Sequence, residues 1–231
     1  MERNPFATFW TSLVLLLFSL VSLSAEQFGL FTYRVIEGSV EITDYSEDVV
    51  GDVTIPSSIT SIGNSTFLGC SSLISIVVAS GNLDYASDEG VLFNSTKTTL
   101  INCPEGKVGA YAIPDSVTKI GMSAFLGCSS LTDVTIPDGV TTIGDWAFEG
   151  CISLTNVTIP NSVTTISRGA FNECISLTSV TIPNSVNSIG GEAFRGCTSL
   201  TSVTIPIGLT TISLQTFEGC SSLTSVTIPN G

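Results

Sequence analysis

Histidine is absent from the 231-residue chain, and charge is scarce and one-sided: seven Lys plus Arg stand against 20 Asp plus Glu, a net charge of −13. Without histidine there is no imidazole general base, no Ser–His or Cys–His pair and no imidazole metal ligand. Seven scattered cations cannot supply the basic footprint that phosphate neutralisation requires, so nucleic-acid binding is excluded. No C-x-x-C pair occurs, which removes the common thiolate metal patterns. The combination of 12% charged with 43% hydrophobic residues is opposite to that of a disordered chain. These absences point to a folded, acidic protein that is not an enzyme and carries no catalytic, cofactor-binding or metal site.

The first 25 residues differ from the rest. A short charged start, Met1 to Pro5, precedes an uncharged stretch from Phe6 to Ala25 that is most apolar between Leu13 and Val21, and small residues follow at Ser22 and Ser24. This is the order of a secretory signal peptide, predicted here as residues 1–25, with cleavage after Ser24 or Ala25. Left uncleaved, the same run is long enough to anchor the chain in a bilayer. The expected location is secreted or cell-surface.

What the chain does contain is a repeat. Ile-Pro pairs begin at Ile113, Ile136, Ile159, Ile182, Ile205 and Ile228, each 23 residues after the last. Cys128, Cys151, Cys174, Cys197 and Cys220 keep the same step, as do Phe125, Phe148, Phe171, Phe194 and Phe217. An earlier copy carries Ile55-Pro56, Phe67 and Cys70. Alternation in Val180-Thr181-Ile182 predicts a strand with Val and Ile inward and Thr outward. Pro183 lacks an N–H and ends the ladder. Val186 and Ile189 turn inward again on the next side of the coil, and Ala193-Phe194 fits one short helical or 3₁₀ turn closed by Gly196. Each coil then supplies six or seven apolar groups to a shared interior, and stability comes from stacking neighbours about 4.8 Å apart.

The text Val-Thr-Ile-Pro-x-x-Val-x-x-Ile-Gly-x-x-Ala-Phe-x-Gly-Cys-x-Ser-Leu-Thr, seen at 134–155 and with small departures in every later unit, resembles the BspA-type leucine-rich repeats of bacterial and protist surface proteins. The resemblance runs from about Val53 to Gly231. It implies a leucine-rich-repeat solenoid, a right-handed coil of about eight turns with one parallel β-sheet face and short helical or 3₁₀ turns opposite. It also implies an exported recognition or adhesion role, without naming a ligand.

Two segments depart from the period. Ile55 and Ile113 are 58 residues apart where two periods give 46, so about 12 residues are inserted. Gly90 to Ile101 reads as two short strands around Asn94–Lys97, an elongated repeat over 74–110 ahead of regular repeats at 111–231. Phe31 to Thr43 reads as two alternating strands around a Glu37-Gly38 turn. A β-hairpin cap over 26–52 would cover the first coil of a solenoid spanning 53–231. No comparable cover follows Pro229, which raises a second function: a structural spacer or assembly module associating end to end through its last coil.

The outward strand positions form the candidate ligand-binding face: Thr54, Asp133, Thr135, Asn156, Thr158, Ser179, Thr181, Ser202, Thr204, Ser225 and Thr227. As a surface they are flat, polar and almost uncharged, suited to an extended protein or glycan ligand. Threonine also simply favours strands and pairs well across them. A periodic Thr array further permits an ice-binding reading, against which stand the Ser or Asn at the paired positions and the expected curvature. The ladder cysteines are expected as a buried column of thiols, since their Cβ vectors run parallel in poor bridging geometry; Cys103 falls outside the 23-residue step. Two acidic clusters, Asp84/Asp88/Glu89 and Asp44/Glu47/Asp48, match no calcium-loop motif and read as solvated surface. Sequons at Asn64, Asn94 and Asn156 would carry glycans in a eukaryotic secretory path, and a glycan on Asn156 would block the proposed face.

Overall fold

A computed structural model describes residues 26–28, 31–36, 39–45, 51–63 and 66–229. The expected signal peptide, the Glu37-Gly38 turn and the sequon at Asn64 lie outside them. The chain forms a parallel β-solenoid of about eight turns, with no helix among the described residues. Strands β1 (Glu26–Phe28), β2 (Phe31–Ile36) and β3 (Ser39–Tyr45) come first, then β4 (Gly51–Ile55), β5 (Ile59–Ile62) and β6 (Leu73–Val78). The inserted region holds β7 (Tyr85–Asp88), β8 (Val91–Asn94), β9 (Thr99–Asn102) and β10 (Gly109–Ala112). Then the coils alternate a longer and a two-residue strand: β11 (Lys119–Ile120), β12 (Leu131–Thr135), β13 (Thr142–Ile143), β14 (Asn156–Thr158), β15 (Thr165–Ile166), β16 (Ser179–Thr181) and β17 (Ser188–Ile189). β18 (Ser202–Thr204) and β19 (Ser225–Thr227) complete the series.

The register is like on like. Val134 pairs with Val157 and Val157 with Val180, while Thr135 pairs with Thr158 and Thr158 with Thr181. This first face comprises the parallel sheet β10-β12-β14-β16, with β4-β6 before it and β18-β19 after it. Proline then turns the chain: Val140 N–H donates to Pro137 O, and Val163 and Val186 repeat the bond with Pro160 and Pro183. Beyond that turn lies a second face, which is itself a sheet, β17-β15-β13-β11-β9-β8-β7. It is parallel from β17 to β9, and the insertion extends it with antiparallel β8 and β7. The expected strands on either side of Asn94–Lys97 are β8 and β9. At the start of the chain β2 and β3 pair antiparallel as the expected hairpin, and β3 joins β5 in parallel.

The third side closes each coil through turns. Cys151 N–H donates to Phe148 O and Glu149 N–H to Trp146 O, three residues back, the 3₁₀ pattern in its shortest form. It does not propagate, because Trp146 (φ 52°) and Gly150 (φ 70°) are left-handed and interrupt each turn. The intervening N–H groups of Trp146, Phe148 and Gly150 donate instead to the next coil, at Arg168 O, Ala170 O and Asn172 O. The same three bonds recur in the following coil, from Gly169, Phe171 and Glu173. Gly144 is required for a second reason: a Cβ there would lie 2.7 Å from the backbone of Gly121 one coil earlier.

The interior follows from this stacking. One regular coil buries Val134, Ile136, Val140, Ile143, Ala147, Phe148, Cys151 and Leu154, all at most 6% exposed. That is more than the six or seven expected, because the small Ala and Cys are enclosed as fully as the branched residues. The phenylalanines form one stack, with centroids 4.7, 5.1, 5.3 and 5.7 Å apart from Phe125 to Phe217 and planes within 9° of parallel. The coil repeat therefore dictates the ring spacing, since isolated aromatic pairs prefer offset or edge-to-face contacts. Phe171 is fully buried with rings on both sides. Replacing it with alanine is expected to lower stability by about 3–5 kcal/mol, measured as a lower denaturation midpoint in urea; a loss below about 1 kcal/mol would place the ring outside the core.

Candidate functional site

The outward positions of the first face fall where strand alternation puts them. Asp133, Thr135, Asn156, Thr158, Ser179, Thr181, Ser202 and Thr204 are all exposed, flanking the buried Val134, Val157, Val180 and Val203. Pairing aligns Asp133, Asn156 and Ser179 in one column and Thr135, Thr158 and Thr181 in another. Thr201 N–H donates to Thr178 O and carries the array on to β18, where Ser202 pairs with Ser225 and Thr204 with Thr227. Thr54 stands outside these two columns. It is exposed on β4 and pairs with Val77 of β6, in a separate two-stranded sheet. On the regular side, the residue paired with Thr135 is Ala112, so the hydroxyl column starts at Thr135.

The hydroxyls divide into two kinds. Thr155, Thr178, Thr201 and Thr224 each donate through Oγ1 to the carbonyl 23 residues earlier, at 3.2–3.3 Å. Thr141 and Thr164 do the same beside the second face, at 3.3 Å. By contrast, no partner is recorded among the described residues for the hydroxyls of Thr135, Thr158, Thr181, Thr204 and Thr227. The first set was missed in reading the sequence, although Thr132, Thr155, Thr178, Thr201 and Thr224 keep the same 23-residue step. The second set leaves its donors and acceptors to solvent. Asp133 is the one charged residue among these outward positions from 133 to 227, so the face offers hydrogen-bonding groups and threonine methyls with little charge.

The cysteines are free thiols, buried except for the half-buried Cys220. Cys151, Cys174, Cys197 and Cys220 sit 3.1–3.2 Å from the carbonyl of the phenylalanine 26 residues earlier and donate their S–H to it. The column is therefore hydrogen-bonded as well as apolar. Cys103 joins it despite standing 25 residues before Cys128, because the inserted region changes the step but not the stacking. Cys128 Sγ lies 3.5 Å from Cys103 O, and the Cys103 thiol is its hydrogen-bonding neighbour. That contact, followed by burial, holds the Cys128 pKa well above the usual thiol range; burial does the same for Cys151, Cys174 and Cys197. Protonated, enclosed thiols are poor nucleophiles and poor metal ligands.

No group of three or more Cys, Asp or Glu is placed to hold a metal ion among the described residues. Asp88 is ion-paired with Lys97 at 2.9 Å, and Glu89 occupies a left-handed turn position; Glu47 and Asp48 lie outside the described residues. Asn94 Nδ2 donates to the hydroxyls of Thr96 and Thr98 and its Oδ1 accepts from Thr99 N–H, so a glycan there would displace the bonds that order the β8–β9 turn. Asn156 is exposed in the middle of the first face.

Family comparison adds to this geometry. The family described as BspA type leucine rich repeat region matches residues 45–113 and 107–224, in six copies. No protein of curated function matches the chain. Among solved structures, the pneumococcal vaccine antigen PcpA is similar at 29% identity and a TM-score of 0.70, covering 77% of this chain and 44% of that one. A leucine-rich cell surface protein from Faecalibacterium prausnitzii is 28% identical with a TM-score of 0.72, covering 80% of this chain and 53% of that one. A leucine-rich repeat protein of T. pallidum is 29% identical with a TM-score of 0.52, covering 88% and 82%. The chain thus spans about half the length of the first two. No helix among the described residues is long and apolar enough to cross a membrane.

Two outcomes separate these roles. Thr178→Val removes a hydroxyl that bonds the preceding coil and should cost about 0.5–1.5 kcal/mol, whereas Thr181→Val should be neutral within about 0.5 kcal/mol; equal losses in thermal unfolding would contradict the division. The buried thiols have folded pKa values raised above those of the unfolded chain. The unfolded state therefore loses protons first, and stability present below about pH 8.5 declines as pH rises, by up to roughly 1.4 kcal/mol per pH unit for each thiol. Cys174→Ala should flatten the alkaline slope of stability against pH by one such share, and an unchanged slope would contradict it.

Proposed function

The chain belongs to the BspA-type leucine-rich repeat family, and on that premise we propose that it is a non-catalytic recognition or adhesion protein, secreted or displayed at the cell surface. The expected signal peptide at residues 1–25 would direct its export. The relatives described as a cell surface protein and as a vaccine antigen support that location. The observation that carries the reading is the uncommitted hydroxyl column from Thr135 to Thr227, set beside the column of Asp133, Asn156, Ser179, Ser202 and Ser225.

An array of this kind offers a threonine and a second polar group at each coil, about 4.8 Å apart along the solenoid and about 6.6 Å apart across it. A ligand that meets it must be extended, and gains affinity by repetition of weak contacts. Protein strands and linear glycans both have that form. Because the surface is almost uncharged, binding should depend weakly on ionic strength, unlike the salt-sensitive attraction between charged faces. The buried Val134, Val157, Val180 and Val203 fix the strands beneath the hydroxyls from Thr135 to Thr204, so that part of the array is rigid before the ligand arrives and little ordering cost remains.

The test uses arrays of immobilised glycans and extracellular-matrix proteins. Thr158→Lys, Thr181→Lys and Thr204→Lys together should keep the circular dichroism of the wild type and weaken binding at least tenfold. The matching change on the second face, Thr142→Lys with Thr165→Lys and Ser188→Lys, should leave binding unchanged. Loss in both variants, or in neither, would sink the assignment of the ligand to the first face.

A further inference from the structure

The turn side of the solenoid changes character at the insertion. In the regular coils it carries charge, with Arg168 bonded to Glu192 at 2.7 Å and Arg195 to Glu218 at 3.4 Å. At the equivalent positions of earlier coils stand Leu68, Met122 and Leu126, of which Leu68 is 53% and Met122 49% exposed. Between them opens a shallow cleft, whose lining also includes Phe67, Asn102 and Glu105. The insertion creates it by parting the coil of Phe67 from that of Phe125.

The polar groups of the cleft are short of donors. Glu105 Oε1 accepts from Gly69 N–H at 2.7 Å, and no donor to Oε2 is recorded among the described residues. Burial pushes the Glu105 carboxyl pKa up, and the Gly69 bond offsets this in part. Asn102 Oδ1 is buried and unpaired. The nearest lysine in sequence is engaged elsewhere: Lys107 Nζ donates to Glu89 O at 2.7 Å and lies over the Tyr111 ring. A half-buried carboxylate with one oxygen left to solvent favours an incoming donor, above all a charged one.

We propose that this cleft receives the ammonium of a lysine side chain from a protein partner, with Glu105 taking the charge and Leu68, Met122 and Leu126 flanking the methylene stem. An apolar stem ending in a compact cation matches a lipophilic mouth over a carboxylate. Lysine fits better than arginine, whose bidentate grip needs both carboxylate oxygens, one of which Gly69 already holds. The net charge of −13 adds long-range attraction for a basic partner. This site is on a different side from the first face and does not depend on it.

The test is NMR titration of the ¹⁵N-labelled protein with Nα-acetyl-lysine N-methylamide. Saturable shifts are expected at the amides of Gly69 and Gly127, with a dissociation constant on the order of 1 mM for so small a probe. The norleucine analogue, which lacks the charge, should bind at least tenfold more weakly. Glu105→Gln, which keeps an acceptor for Gly69, should weaken the lysine probe to the same degree while preserving the thermal midpoint. Equal binding of the norleucine analogue, or binding untouched by Glu105→Gln, would overturn the proposal. Saturable binding of pentylammonium without binding of the lysine probe would also overturn it, in favour of a free amine.

Discussion

Everything in this molecule depends on closure of the coil in the same number of residues each time. A return after 23 residues places each position over its own copy, so backbone hydrogen bonds can run between coils on all three sides. Any choice made once is then repeated along the axis. A phenylalanine becomes a stack, a cysteine a chain of S–H donors to carbonyls, and a threonine a column of hydroxyls. The hydrophobic interior is thus a consequence of register as much as of composition, since no single coil encloses its own apolar side chains.

The same constraint explains what could be read from the sequence. Ile-Pro, Phe and Cys at one step sufficed for the solenoid, because identical spacing in three residue types has no other physical source. The second sheet was harder to see: Thr142-Ile143 and Thr165-Ile166 are too short to show alternation, and the coil above and below makes them strands. Cys103 escaped because the insertion altered its spacing while leaving its neighbours intact. The bonds of the Thr155 and Thr178 hydroxyls were equally hidden, as residue type alone cannot distinguish a threonine that braces the previous coil from one that faces solvent. Strand alternation did place the outward residues from Asp133 onward. Thr54 is exposed as alternation requires, but the inserted residues leave it in a separate two-stranded sheet, outside the two columns.

The insertion is where the molecule ceases to be periodic, and it is also where its surface becomes individual. On the regular coils, a site can be only a column, extended and repeated. Around Glu105, Leu68 and Met122 the surface is concave, with a carboxylate that accepts from Gly69. A long flat surface and a single cleft make different demands on a partner, the first for length and the second for one side chain. Breaking the repeat divides the core into two clusters, one from Val53 to Leu92 and one from Val91 onward, yet β8 and β9 re-enter the second sheet and carry Phe93 and Leu100 into the core of the regular coils.

On the turn side, the N–H groups of Trp146, Phe148 and Gly150 all point toward the following coil, and the carbonyls of Asp145, Ala147 and Glu149 accept from the preceding one. The peptide dipoles there are aligned, as they are in a helix, and sum along the solenoid axis. A coil turned end for end would set carbonyl against carbonyl and forfeit all three bonds. The array therefore has a direction, and tandem duplication or deletion of a whole 23-residue unit in frame is the genetic change that preserves it. Such a gene can alter the reach of its product in steps of one strand spacing, about 4.8 Å, without redesigning a single contact.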